Sequence, residues 1–127
     1  MEICIKYLEA LNSGNLEEVL SLFEENAVVI SPLYGKLSAI KFYTDLFAET
    51  GNSNTTLLNV FEKSCSKNNC IALHFNYEWT LKNNVIVNFE CVDIVSINSK
   101  GDKFTKLTII YDTYPIRKDY ESNKKVS

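Results

Sequence analysis

The sequence predicts an α+β domain, and two observations carry that expectation. Apolar residues recur at helical spacing up to about Gly51, after which the texture changes to alternating strands separated by short polar turns. Helical and strand-rich segments that follow one another in blocks imply about three N-terminal helices packed on one face of an antiparallel sheet. With 127 residues the chain suits one domain with one core, read as residues 1–114, followed by a polar C-terminal tail over 115–127.

In residues 2–12, Cys4, Tyr7, Leu8 and Leu11 keep helical spacing, and Asn12-Ser13-Gly14 stops the helix. Asn15 is placed to cap a second, short helix, with Glu18 three residues on as its capping-box partner. Leu16, Val19, Leu20 and Phe23 form the apolar stripe of that helix. Ala27-Val28-Val29-Ile30 reads as a brief strand ended by Ser31-Pro32. The spacing of Leu37, Ile40, Tyr43 and Phe47 predicts a third helix over 36–49, closed near Gly51. Strands follow at about 55–66, 70–82, 85–98 and 103–114, joined by turns at Lys67-Asn68-Asn69, Lys82-Asn83-Asn84 and Ser99-Lys100-Gly101. Together they predict an antiparallel meander.

Composition narrows the function classes. Arg117 is the single arginine among 13 basic residues and the net charge is −3, which argues against nucleic-acid recognition. No apolar run approaches the roughly 20 residues of a membrane span, so no membrane partner is expected. Glu2 stands where a signal peptide would be basic, so a cytoplasmic location is expected. Cys4, Cys65, Cys70 and Cys91 lack metal-ligand spacing and read as free thiols, although Cys65 and Cys70 flank a turn short enough to face each other. His74 is the sole histidine, no nucleophile elbow or Gly-rich phosphate loop occurs, and neither a metal nor another cofactor is expected.

Strand parity sorts the remaining candidates. Ile71, Leu73, Phe75, Tyr77, Trp79 and Leu81 share one face, continued by Val85, Val87, Phe89, Cys91, Asp93, Val95 and Ile97, then by Leu107, Ile109 and Tyr111. That face is the expected interior, and Asp93 is its one ionisable anomaly. Two readings stand for it: a carboxyl hydrated near a strand end or held by a tyrosine or backbone donor, or a functional acid with a raised pKa. Tyr7, Tyr43, Tyr77, Trp79 and Tyr111 suit ordinary core packing one by one, but several tyrosines converging on one acid would make a site. His74, Glu78 and Glu90 fall on the outer face.

The stretches YLEALNSGNLEEVLSLFEENAVVISPLYGK, AIKFYTDLF and NFECVDIVSINSKGDKFTKLTIIYD resemble the nuclear-transport-factor-2-like superfamily, most of all its SnoaL-like polyketide cyclase and ketosteroid isomerase branches. The resemblance covers about residues 3–114 and identifies the fold better than the reaction. It implies a cone-shaped, cystatin-like roll in which a curved sheet wraps helices around an apolar pocket, and a homodimer through the outer sheet face. Matched to ketosteroid isomerase, the oxyanion-binding tyrosine falls on Tyr7, the oxyanion-binding acid on Asp93 and a supporting tyrosine on Tyr43. The family's catalytic base falls on Ser31, and an unactivated hydroxyl is no general base near neutral pH. Matched to limonene epoxide hydrolase, the required Arg, Asp and Asp fall on Cys91, Asp93 and Ile109, so two of the three are absent. Asp112 matches a recurrent acid of SnoaL-like sequences but lies opposite the pocket by parity.

Three functions follow as expectations. The first is an isomerase, cyclase or hydratase acting on a small apolar carbonyl compound, with Asp93, Tyr7 and Tyr43 as its catalytic groups. The second is a binding domain for a small hydrophobic or aromatic molecule, lined by Ser31, Phe75, Tyr77, Trp79, Phe89, Cys91, Leu107, Ile109 and Tyr111. The third is a dimeric protein-interaction module using the outer sheet face.

Overall fold

The computed structural model describes residues 2–63 and 69–114. Cys65 and the tail over 115–127 lie outside them. The elements run α1 (Glu2–Ser13), α2 (Leu16–Ser21), β1 (Phe23–Ser31), β2 (Gly35–Ser38), α3 (Ala39–Glu49), β3 (Thr50–Lys63), β4 (Asn69–Leu81), β5 (Ile86–Ile97) and β6 (Phe104–Ile110). The α+β class and the three helices are as the sequence predicts. No described helix is long and apolar enough to cross a membrane.

Helix α1 buries Ile3, Cys4, Tyr7, Leu8, Ala10 and Leu11, one continuous stripe at 3–4-residue spacing. The Asn15 side chain caps α2 by accepting a hydrogen bond from the Glu18 backbone N–H at 3.0 Å. Strand β1 begins earlier than its apolar run Ala27–Ile30, because Phe23 pairs with Phe104 instead of completing the α2 stripe.

The segment expected as the start of the third helix is a strand. After the turn over Pro32-Leu33-Tyr34, Gly35 takes φ 76°, and Gly35–Ser38 pairs antiparallel with Val28–Ser31. Ser38 then caps α3, its hydroxyl accepting from the Lys41 N–H at 3.2 Å. Starting the helix at Ala39 rotates its buried face to Ala39, Phe42, Tyr43 and Leu46, and Ile40 is left 56% exposed.

The sheet order is β2-β1-β6-β5-β4-β3. Strands β3 to β6 form the expected antiparallel meander, but β1 lies parallel to β6, a pairing that local sequence does not encode. Strand β3 extends back to Thr50, through Gly51-Asn52-Ser53-Asn54 expected as loop. Pairing with Glu78–Leu81 overrides the weak strand propensity of those residues. Two register shifts, at Thr50/Asn52 and Leu57/Asn59, bend β3 as bulges do.

The β4 interior is the predicted one: Ile71, Leu73, Phe75, Tyr77, Trp79 and Leu81 are all buried. Val85, expected beside them, is exposed in the β4–β5 turn, where Asn84 takes φ 70°. Beneath the helices Tyr7, Phe23 and Phe104 pack edge to face, with Tyr7–Phe104 centroids 5.7 Å apart. Replacing Asn15 by Ala should lower stability by about 1 kcal/mol in urea denaturation. Asn15→Asp, which keeps an accepting oxygen, should stay within a few tenths of that of the parent. An unchanged midpoint in Asn15→Ala would remove the cap from the account of α2.

Candidate functional site

The curved inner sheet face and the helices over it leave an aromatic-walled cavity. From α1 come Tyr7 and Leu11, from the end of β1 Ser31, and from the following turn Tyr34. Helix α3 contributes Phe42 and Leu46. The sheet supplies Phe75, Tyr77 and Trp79 of β4, Phe89, Cys91 and Asp93 of β5, Ile109 of β6 and Tyr111 just beyond it. Phe89 lies between Tyr77 and Tyr111, at centroid distances of 5.5 and 4.6 Å.

Alternation along β5 turns Asp93 inward, between Leu73 of β4 and Ile109 of β6. Its carboxyl is 2% exposed and its Oδ1 has no hydrogen-bond partner among the described residues. Removal from water raises its pKa from the ordinary 3.8 to about 8, so the carboxyl is neutral at pH 7. Tyr7 presents its hydroxyl to that of Tyr43 at 2.7 Å. Burial drives both phenols well above their ordinary pKa of 10, with repulsion from Asp93 acting the same way. Burial likewise pushes the Cys91 thiol up, and Cys91 is no thiolate nucleophile.

Ten of the twelve residues expected in the site line this cavity. Tyr43 and Leu107 do not. Tyr43 is fully buried and reaches the site through Tyr7, and Leu107 is fully buried in the core. Sequence reasoning missed Leu11, Tyr34, Phe42 and Leu46. The shifted phase of α3 concealed Phe42 and Leu46, although the Ser38 cap three residues before Lys41 could have set it. Leu11 stood on the predicted stripe without an assigned role.

Ser31 ends β1 and its hydroxyl accepts from the Tyr34 N–H at 3.0 Å, a turn contact rather than base chemistry. His74 lies on the other sheet face, bonded to Asn59 at 3.0 Å and Glu90 at 2.8 Å. Cys4, Cys70 and Cys91 are free thiols. Asp112 is exposed and accepts from the Tyr114 N–H.

No protein-family model matches the sequence, and no curated protein matches it. Solved structures do. An NTF2-like protein of unknown function from Cytophaga hutchinsonii is 15% identical, with 91% of this chain and 92% of that one covered at TM-score 0.72. A ketosteroid isomerase-like protein from Erwinia carotovora atroseptica is 14% identical, with 85% and 89% covered at TM-score 0.70. TerC, co-crystallised with polyporic acid, is 16% identical, with 94% and 96% covered at TM-score 0.76. At these identities the likeness shows the fold: it is nuclear-transport-factor-2-like, shared with SnoaL-like cyclase, epoxide hydrolase/cyclase-like and dehydratase proteins.

The buried acid makes stability depend on pH. Above about pH 4 the unfolded chain has lost the Asp93 proton, whereas the folded chain keeps it to about pH 8. Between these limits the unfolded state binds fewer protons, so ionisation of Asp93 lowers stability as pH rises, by up to about 1.4 kcal/mol per pH unit. Above pH 8 this effect levels off. Asp93→Asn should therefore gain stability over the parent steadily from pH 4 to pH 8 in denaturant titrations. A difference constant across that range would show that Asp93 is not a buried neutral acid.

Proposed function

We propose that the cavity binds a small apolar or aromatic carbonyl compound and polarises its oxygen with Tyr7 and protonated Asp93. The observation that carries this reading is an unpartnered, fully buried carboxyl oxygen in an aromatic-walled cavity that Tyr7 also lines. If Tyr43 donates to Tyr7 in their 2.7 Å bond, the Tyr7 proton is left for a ligand oxygen. Neutral Asp93 supplies a second donor. Two fixed donors in a water-poor site stabilise negative charge as it develops on a carbonyl oxygen.

The accepting half of the chemistry is weaker. Ser31 occupies the position where the resemblance places a base, and its oxygen is engaged by the Tyr34 N–H. Tyr7, Tyr77 and Cys91 are all held further from ionisation than usual. The reaction class that suits this site is an isomerisation or cyclisation in which the substrate's own group attacks or accepts the proton. The same lack of a base favours the second reading, a binding protein without turnover.

A second copy of the chain is the partner proposed for the outer sheet face. Ile94 of β5 and Ile110 of the neighbouring β6 are exposed there, with Phe61 of β3 beyond Ala72 of β4, beside the Asn59–His74–Glu90 ladder. A two-fold axis would cover one apolar row with its copy. Light scattering should give twice the 14.5 kDa chain mass, and Ile110→Glu should shift it to the monomer. A parent chain that runs as a monomer overturns this pairing.

The probe for the cavity is 2-acetylnaphthalene, a neutral aromatic ketone, followed by fluorescence titration. Asp93→Leu and Tyr7→Phe should each weaken binding by about tenfold, one charge-free hydrogen bond apiece. In the parent, affinity should fall above about pH 8 as the acid ionises, whereas Asp93→Asn, which keeps an amide donor at every pH, should show no break. Unchanged affinity in Asp93→Leu would remove the acid from the site.

A further inference from the structure

The cavity has a second polar pole that polarisation by Asp93 and Tyr7 does not use. Apart from aromatic and cysteine side chains, three polar residues are buried among the described residues: Ser31, Ser53 and Asp93. Ser31 and Asp93 line the cavity. Ser53 stands on β3 opposite Trp79, and its hydroxyl oxygen lies 2.8 Å from that of Tyr77, which does line the cavity.

Two hydroxyls joined by one hydrogen bond use one of their two protons. Neither makes another side-chain hydrogen bond among the described residues, so one O–H of the pair has no protein acceptor. A hydroxyl proton without a protein acceptor is available to any acceptor brought to it. The neighbouring Trp79 differs, because its indole N–H donates to Thr50 Oγ1 at 2.8 Å. With Ser53 as the donor in their contact, the Tyr77 phenol is the group of this pair with a proton to offer the cavity. On its other side Ser53 borders a polar groove with Asn12, Thr50 and Asn52, so the pair stands at a partition between apolar and polar space.

The strand register fixes how far this pole lies from the first. Asp93 pairs with Leu73, and Tyr77 follows Leu73 by four residues on β4, an offset of about 13 Å along the strand. Between them the wall is Phe75, Cys91 and Phe89. No lysine or arginine lines the cavity among the described residues, so neither pole is built for a carboxylate or a phosphate.

We propose that Tyr77, held by Ser53, binds a second oxygen on the ligand, whose class is an elongated apolar compound with a neutral acceptor oxygen toward each end. The inference rests on the Asp93–Tyr7 reading of the same cavity and adds the far end of the ligand to it. It makes Tyr77 a specificity-determining residue and Ser53 the residue that positions it.

The test compares 2-acetylnaphthalene with 2-acetyl-6-hydroxynaphthalene, which carries the same ketone and a second oxygen across the ring system. The parent should bind the two-oxygen probe about fivefold or more tightly than the one-oxygen probe. That ratio should fall to about one in Tyr77→Phe and shrink in Ser53→Ala, with thermal melting confirming that both fold. Equal affinities in the parent, or a ratio that persists in Tyr77→Phe, would overturn the second pole and leave the first intact. Failure of 2-acetylnaphthalene itself to bind the parent would instead overturn the Asp93–Tyr7 reading, and the second pole with it.

Discussion

One hydrogen bond between buried phenols holds the rest of the arrangement in place. Tyr7 of α1 and Tyr43 of α3 meet at 2.7 Å, across 36 residues of sequence, where neither has water as an alternative. Such a bond contributes only about 1 kcal/mol net, but leaving one member unpaired in that setting costs about 1–3 kcal/mol. The two rings are themselves clamped, Tyr7 edge-on to Phe104 and Phe23, and Tyr43 edge-on to Phe42 at 4.7 Å. The bond therefore fixes both how α1 and α3 sit over the sheet and where the Tyr7 oxygen stands in the cavity. Fold and site share a single contact.

Asp93 sets the opposite constraint. Desolvation alone accounts for its raised pKa, and no described side chain relieves Oδ1. An apolar residue of similar size would make β5 more stable at neutral pH, because it would remove a buried polar group without a partner. The strand nevertheless places a carboxyl at its centre, with Leu73 and Ile109 on either side. A group that lowers stability and lines a cavity is more readily understood as serving a ligand than as serving the core.

The chain announces some of this and hides the rest for identifiable reasons. Asp93 was legible because β4 and β5 pair without a register shift, so parity in sequence survives as parity in space. Parity fails as a guide on β3, where the bulge between Leu57 and Asn59 changes which residues face inward. It could not have marked Ser53, which sits in a Gly-Asn-Ser-Asn run that becomes a strand only through tertiary pairing with β4. Strand β2 was concealed because Leu37 and Ile40 imitate helical spacing, and that error carried Phe42 and Leu46 out of the expected site. The parallel β1–β6 pairing joins segments whose separation spans the whole meander, and no local pattern specifies such a pairing.

Burial also determines what kind of chemistry the cavity tolerates. Burial pushes Asp93, Tyr7, Tyr77 and Cys91 toward their protonated forms. At neutral pH those groups present protons and no charge. An anionic ligand would give up its hydration without meeting a cation, a loss that a few hydrogen bonds do not offset. A neutral carbonyl enters without that penalty and meets donors only when its oxygen reaches them. The charge that builds on this oxygen during enolisation or cyclisation then strengthens the hydrogen bonds it already receives, and neutral-to-charged bonds are about twice as strong as neutral pairs. The site thus favours the transition state over the ground state by withholding charge, and the acid's instability in the free protein is the physical origin of that preference.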